Sequence, residues 1–251
     1  MISNKIYTVI VVPCYNEAFR LQEDAFVDYL QRNEHVNFLF IDDGSTDSTV
    51  ECLRRLASRS TRISWLHNSA NLGKAESVRR GLLHAMDMGA DYAGFWDADL
   101  ATPLQEIGSF IEILESKERC EMVFGARVNL LGRNNNRSPL RHYLSRVFAT
   151  VVANMLGLSI YDSQCGAKVF RVNDLSKSIF SEPFISKWIF DVEIIARVIR
   201  QCRDPYSPRA KDIIVEHPLS QWTEVGGSKL QKKDFYQTLP DLVRIYNRYL
   251  R

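Results

Sequence analysis

Cysteine is scarce and scattered in this chain. Cys14, Cys52, Cys120, Cys165 and Cys202 include no CxxC pair. An odd number without metal-ligand spacing argues against a disulfide scaffold or a zinc site and points to a reducing compartment. Long apolar runs are missing too. The longest apolar-leaning stretch, Val147 to Ile160, is interrupted by Thr150, Asn154 and Gly157, short of the ~20 residues a helix needs to cross a bilayer. Met1 to Lys5 run straight into an apolar strand pattern, so no targeting segment is expected. The expectation is a chain that is soluble or rests on a membrane surface. Excess charge of one sign is also absent. Lys and Arg total 32 against 30 Asp and Glu, which excludes a protein coating nucleic acid along a whole face. Apolar residues at 45% and charged residues at 25% of 251 residues exclude a disordered tail and a collagen-like fibre. They suffice for one large domain or two small ones.

What is present is alternation. Lys5–Val12, Asn37–Ile41, Ile63–His67, Asp91–Trp96 and Met122–Gly125 are short apolar runs, the pattern of strands buried on both faces. Glu17–Arg32, Thr49–Ser60, Lys74–Met88 and a segment from Pro103 to about Leu114 carry helical spacing between them. Alternation of this kind predicts a mostly parallel sheet flanked by helices, with ligands at the carboxyl ends of its strands. In the second half, Arg127–Pro139 reads as a polar, mobile loop. Tyr143–Leu156, Asp191–Gln201 and Phe235–Tyr249 read as helices, and Ala167–Arg171 and Asp212–His217 as strands. With no repeat and no clear linker, a single α/β domain spanning 1–251 is expected. Residues 1–125 form its nucleotide-type half and 126–251 its acceptor half.

Two acid pairs fall just past strand ends, Asp42-Asp43 and Asp97-Ala98-Asp99. An isolated DxD is a turn with solvated acids. Directly after an apolar strand, its two carboxylates can both approach a divalent cation, since Mg²⁺ and Mn²⁺ take oxygen ligands from carboxylates and substrate phosphates. Ser45 and Thr46 also suit caps of the next helix. Between Met122 and Tyr161 there is no Asp or Glu, while Arg127, Arg133, Arg137, Arg141 and Arg146 stand there. Arginine forks bind phosphate bidentately, and anionic head groups add roughly 1 kcal/mol per basic residue near a membrane. The apolar face of Tyr143–Leu158 either covers a lipid chain or is core.

Four motifs within the first hundred residues carry a resemblance: Val11-Val12-Pro13-Cys14-Tyr15-Asn16-Glu17, Ile41-Asp42-Asp43-Gly44-Ser45-Thr46-Asp47, Asn71-Leu72-Gly73-Lys74 and Asp97-Ala98-Asp99. In this order they resemble the nucleotide-sugar half of the family 2 inverting glycosyltransferases, which have the GT-A fold. Further on, Asp162-Ser163-Gln164-Cys165-Gly166-Ala167-Lys168-Val169-Phe170, Phe190-Asp191-Val192-Glu193 and Gly227-Ser228-Lys229-Leu230 resemble the polyprenyl-phosphate branch. That branch includes dolichyl-phosphate glucosyltransferases and mannose synthases.

The resemblance implies a hexosyltransferase using a nucleotide diphosphate sugar, a polyprenyl phosphate acceptor and Mg²⁺ or Mn²⁺. It implies that Pro13, Tyr15, Asn16 and Glu17 line the base and ribose pocket, that Asp43 reads the base, and that Gly73 and Lys74 lie beside the nucleotide. Asp97 would face ribose or a metal-bound water, and Asp99 would bind the metal on the diphosphate. Arg127 and Arg141 would take the acceptor phosphate, with Arg146, Ser228 and Lys229 behind them. Where the mannose synthases have Gln, this chain has Ala101, which favours UDP-glucose over GDP-mannose. A phosphate acceptor needs no base; for a hydroxyl acceptor, Asp191 is the candidate base, with Glu193 next, unless both simply begin a helix. Three alternatives stay open: a hydroxyl acceptor, GDP-mannose as donor, and a non-catalytic nucleotide-sugar module. The expected location is the cytoplasmic face of a membrane, with room for a separate membrane partner and no role for nucleic acid. The five histidines read as structural or exposed, Cys14 and Cys165 as small packing residues, Trp96 and Trp188 as core, and Trp222 as part of a closing loop.

Overall fold

Strands of β-branched and aromatic residues build the sheet, and amphipathic helices cover it. The computed structural model describes residues 6–128, 134–136, 139–204, 206–223, 225 and 232–251; the side chains of 134–136, 139–144 and 232–236 are outside the description. The first half runs β1 (Thr8–Cys14), α1 (Glu23–Arg32), β2 (Val36–Asp42), α2 (Thr49–Arg59), β3 (Ile63–His67), α3 (Lys74–Asp87), β4 (Tyr92–Trp96), α4 (Glu106–Ser116) and β5 (Met122–Ala126). The second half adds β6 (Asn134–Asn136), α5 (Pro139–Leu156), β7 (Ala167–Arg171), α6 (Asp174–Ser181), α7 (Phe190–Gln201), α8 (Ala210–Ile213), β8 (Ile214–Pro218), β9 (Gln221–Thr223) and α9 (Lys232–Ile245). A π-helical turn, Tyr246–Leu250, closes the chain.

Seven strands form the main sheet in the order β3-β2-β1-β4-β7-β5-β8. All neighbours are parallel except at β7, which runs antiparallel between β4 and β5. One consequence governs the site. The carboxyl ends of β1, β2, β4 and β5 share one rim, and the segment that begins β7 reaches that rim from the opposite direction. Each face of the sheet carries a core. Val11, Val78, Phe95, Phe170, Phe190 and Ile195 are buried on the α3–α7 side, and Phe26, Phe38, Phe40, Trp96 and Phe110 on the α1–α2–α4 side.

Several sequence expectations need correction. The helix anticipated from Glu17 starts at Glu23, because the backbone of Glu17 and Ala18 is captured by Thr49 and Asp47. Pro103 heads a turn (Glu106 N to Pro103 O, 3.2 Å), with the helix following. Asp212 belongs to α8, so the last long strand starts at Ile214. The segment expected as a loop from Arg127 to Pro139 contains β6, paired with β9 in a second small sheet; its remainder from 129 to 133 and at 137 and 138 lies outside the described residues. Trp188, expected in the core, is 37% exposed because it sits in the turn before α7, its N–H donating to Ser186 Oγ (3.2 Å). Cys14, Cys165 and Trp96 are buried as expected.

Candidate active site at the carboxyl rim of the sheet

The loops after β1 and β2 are stitched together by polar side chains. Asn16 takes a left-handed backbone (φ 51°), uncommon outside glycine but tolerated by Asn. Its N–H donates to Ser45 Oγ (2.9 Å) and its Oδ1 accepts the Thr46 N–H (2.8 Å). The Glu17 N–H donates to Thr49 Oγ1 (2.8 Å). The expected capping by Ser45 and Thr46 is therefore corrected: α2 is entered through Ser48 with no side-chain cap, and Asp47 accepts from the Thr49 N–H instead (3.0 Å). Beside these loops, Pro13 and Tyr15 are half-buried and Glu17 is buried. Arg20 forks onto Glu17 through Nε (2.9 Å) and Nη2 (2.7 Å). Those bonds, and the charges of Glu17, Asp99 and Asp97, hold its pKa up against the effect of burial. Arg20 thus stands within electrostatic reach of the DxD. No spacing in the sequence signals it, since it lies inside a segment with helical periodicity.

Asp42 and Asp43 divide their work. Asp42 is buried and accepts from His67 Nδ1 (2.7 Å) and the Ser45 N–H (3.3 Å). Asp43 accepts from Leu72 N–H (2.9 Å), Gly73 N–H (2.8 Å) and Asn68 Nδ2 (3.0 Å). An ionised carboxylate offers about four acceptor positions, so Asp43 organises the 68–73 loop with most of its capacity. Gly44 (φ 69°) permits this approach, for a Cβ there would lie 2.6 Å from the carbonyl carbon of Ala70 and 2.7 Å from Asn71 N. The structure brings Asp43, Gly73 and Lys74 together at this loop.

At the end of β4, Asp97 and Asp99 face the same rim, and Leu100 between them and α4 is also left-handed (φ 53°). Asp99 Oδ1 accepts the Ala101 N–H (3.1 Å), and Asp97 Oδ1 is paired with Lys74 Nζ. Burial, then the neighbouring charge of Asp97, pushes the Asp99 carboxyl up; Ala101, Lys74 and Arg20 act against this. Burial works to lower the Lys74 ammonium, but Asp97 and Asp191 outweigh it and its pKa ends raised. Among the described residues, no three His, Cys, Asp or Glu side chains gather into a metal cage. Two crowded, partly exposed carboxylates that repel one another nevertheless fit a hard divalent cation whose other ligands come from phosphate and water.

The turn entering β7 completes the rim. Asp97 N–H donates to Gly166 O (3.0 Å), and a Cβ on Gly166 would lie 1.9 Å from Asp97 Oδ2. Any other residue there would displace the Asp97 carboxylate. At the start of the same turn, Asp162 accepts from Arg127 at its N–H (3.0 Å), Nε (2.6 Å) and Nη2 (2.7 Å). Burial alone would raise Asp162; the Arg127 charge and hydrogen bonds outweigh it and hold the carboxyl at about 2. Glu216 accepts the N–H groups of Tyr161 (2.7 Å) and Asp162 (2.8 Å). Trp222 lies with its ring 5.5 Å from the Arg127 guanidinium, and the Thr223 N–H reaches Ala101 O (3.1 Å), so β9 touches both sides of the site.

Of the predicted acceptor residues, Arg127 stands on the rim already forked onto Asp162. Arg146 stacks 3.8 Å over Tyr161 and donates to its carbonyl (3.1 Å). Arg141 is on α5 with its side chain outside the described residues; Arg133, Arg137, Ser228 and Lys229 lie outside them altogether. Asp191 does begin a helix, but it is buried against Lys168 (2.5 Å). Burial raises its pKa, opposed by Lys168 and Lys74. Glu193 is structural, accepting from Ile185 N–H (2.8 Å) and Arg197 Nη2 (2.8 Å).

Fold and rim together define a GT-A type α/β enzyme domain. Residues 9–178 match the model of Glycosyl transferase family 2, and the chain belongs to that family. It is 31% identical to dolichyl-phosphate beta-glucosyltransferase ALG5C of Trichomonas vaginalis, over 96% of this chain and 71% of that protein. It is 31% identical to the Dictyostelium discoideum dolichyl-phosphate beta-glucosyltransferase, over 98% and 76%. The Saccharomyces cerevisiae dolichyl-phosphate beta-glucosyltransferase is 30% identical, over 98% and 76%. Among solved structures, glucosyl-3-phosphoglycerate synthase from Mycobacterium tuberculosis in complex with UDP aligns with a TM-score of 0.69 at 17% identity, over 96% of this chain and 80% of that one. Mannosyltransferase PcManGT from Pyrobaculum calidifontis, in complex with GDP-Man and Mn²⁺, aligns at 0.60 and 16%, over 98% and 69%. At such identities these two likenesses speak for the fold.

Proposed function

We propose that this chain is an inverting hexosyltransferase that moves glucose from UDP-glucose to a polyprenyl phosphate such as dolichyl phosphate. The observation that carries the proposal is the turn entering β7. One end abuts Asp97 of the carboxylate pair and the other holds Arg127, so an anion-bridging site and a cationic site share a border. The relatives at 30–31% identity supply the substrate class.

On this reading the donor base and ribose lie among Pro13, Tyr15, Asn16, Glu17, Asp43 and Gly73. Asp97 and Asp99 would hold Mg²⁺ or Mn²⁺, which offsets diphosphate charge as the nucleoside diphosphate departs. Lys74 and Arg20 add positive charge on the same side. A phosphate monoester, with a second pKa of about 6, is already anionic at pH 7. Its oxygen attacks the anomeric carbon opposite the leaving diphosphate; the C–O bond to the donor breaks as the new one forms, inverting the centre to a β-linkage. Arg127, through the part of its fork turned from Asp162, and Arg141 would hold that phosphate.

Two features favour this version over its rivals. A general base must reach the proton it takes, and Asp191, the candidate for a hydroxyl acceptor, is buried on Lys168. At position 101 only a backbone N–H meets Asp99, which fits glucose better than the mannose pattern. α5 buries Ala149, Val152 and Leu156 while leaving Val147 (65%) and Val151 exposed beside Arg146. This second apolar face would meet the lipid chain and rest the domain on the cytoplasmic face of a membrane, alone or with a membrane partner. No helix among the described residues is long and apolar enough to cross one.

The test is product analysis with radiolabelled UDP-glucose or GDP-mannose, dolichyl phosphate and Mn²⁺. Label from UDP-glucose is expected in a solvent-extractable lipid that releases glucose in mild acid. Label in water-soluble glycan or protein would instead establish a hydroxyl acceptor, and no turnover with any pair would leave a binding module.

A further inference from the structure

Lys168 of β7 is a buried cation that the proposed chemistry does not use. It is the second residue of β7, in register with Phe95 of β4 on one side and Phe124 of β5 on the other. The residue is fully buried, and its ammonium lies 5.3 Å from the Phe95 ring centre and 5.2 Å from that of Phe124. Between these rings it donates to Asp191 Oδ1 (2.5 Å) and to the carbonyl oxygen of Cys165 (2.6 Å).

Taking an ammonium and a carboxylate out of water costs several kcal/mol per ion. Apolar residues of similar volume at the two positions would be neutral or stabilising by comparison. Core stability alone therefore gives no reason for a lysine here. What the charge does that a methionine cannot is fix two oxygens in place. One belongs to α7 and the other to Cys165, the residue before Gly166. At the next residue, Gly166 O receives the Asp97 N–H and the missing Cβ makes room for the Asp97 carboxylate. The same turn begins with Asp162, which holds Arg127. One buried cation thus anchors the segment touching both halves of the rim.

We infer that Lys168 is a positioning residue: by clamping Cys165 O and Asp191 it holds the Asp162–Gly166 turn against Asp97 and so sets the geometry of the carboxylate pair toward the donor diphosphate. This rests on the reading that Asp97 and Asp99 face that diphosphate. Lys168 touches no substrate on this account; it acts through the turn. Outer partners of this kind change metal affinity or activity by about 10- to 100-fold when removed.

The experiment compares Lys168→Met, the double variant Lys168→Met with Asp191→Leu, and Asp99→Asn with the unaltered protein. The double variant removes both ions of the pair, so it keeps its melting temperature even if the single change unfolds the chain. Titration calorimetry measures UDP with Mn²⁺, and uridine alone. UDP·Mn²⁺ affinity is expected to fall by about 10- to 100-fold in the folded Lys168 variants. Uridine affinity should hold within about threefold, because the base pocket hangs on the β1 and β2 loops, not on this turn. A folded Lys168 variant with unaltered UDP·Mn²⁺ affinity, or with equal losses for UDP and uridine, would overturn the inference. Asp99→Asn separates the two levels: if it binds UDP·Mn²⁺ as the unaltered protein does, the donor-site reading itself fails.

Discussion

The two halves of the rim are prepared in opposite ways. On the donor side, carboxylates end parallel strands and are left crowded. Asp97 and Asp99 push on each other, with Lys74 and Arg20 as counter-charges nearby. On the acceptor side the cation is already matched, since Arg127 is forked onto Asp162 and backed by the Trp222 ring. On the proposed reading, one side keeps unbalanced charge for an incoming cation, whereas on the other Arg127 is already matched by Asp162 and offers a phosphate only the part of its fork turned from that carboxylate. Mutations should therefore separate the sides, with loss of the Asp162–Arg127 pair costing stability and changes at the carboxylate pair costing mainly turnover.

The largest effect is expected from Asp162→Asn. It leaves the Arg127 charge buried and unmatched, a loss of about 3–5 kcal/mol for a broken buried pair, read by denaturant unfolding. The pH dependence carries the same signature. Asp162 is depressed in the folded state, so its contribution is complete above the ordinary carboxylate value of 3.8 and disappears as pH falls through about 2. Wild-type stability should show this acid limb and the variant should lack it; equal limbs would remove the pair from the account.

Next comes Asp99→Asn, with turnover reduced roughly 10²–10³-fold, the scale of losing one transition-state charge contact. Because the folded-state pKa of Asp99 is raised, its ionised form opposes folding, so the variant should melt no lower than wild type. A lower melting point together with retained turnover would turn the comparison upside down.

Gly166→Ala follows, at about 10²-fold in kcat if Asp97 is displaced by about 1 Å, with Arg127 and Asp162 undisturbed. Initial-rate kinetics decide this, and unchanged kcat would mean that Asp97 has other room to move.

Legibility in the sequence tracks the same division. Asp43, Asp97 and Asp99 stand out in the sequence because short apolar runs announce where parallel strands end, whereas Lys74 is singled out only by the resemblance carried by Asn71-Leu72-Gly73-Lys74. The antiparallel insertion of β7 could not, since Ala167–Arg171 looks like any strand and its direction depends on neighbours far away in the chain. Lys168 was hidden for a related reason: alternation with Ala167 and Val169 suggests one solvated face, yet both faces of a central strand are covered. Arg127 was visible as a cation among many, but its partner Asp162 is remote in sequence, so its neutralisation was not. Ser45 and Thr46 carry the composition of a cap, and tertiary contact with Asn16 put them to another use.

The most direct check on the central claim is a crystal structure of the protein soaked with UDP-glucose and Mn²⁺. The account predicts uridine seated among Tyr15, Asp43 and Gly73, the cation on Asp99, and the glucose directed toward the turn that joins Asp97 to Arg127. Uridine lodged elsewhere, or a diphosphate bound with no ion at Asp99, would contradict it.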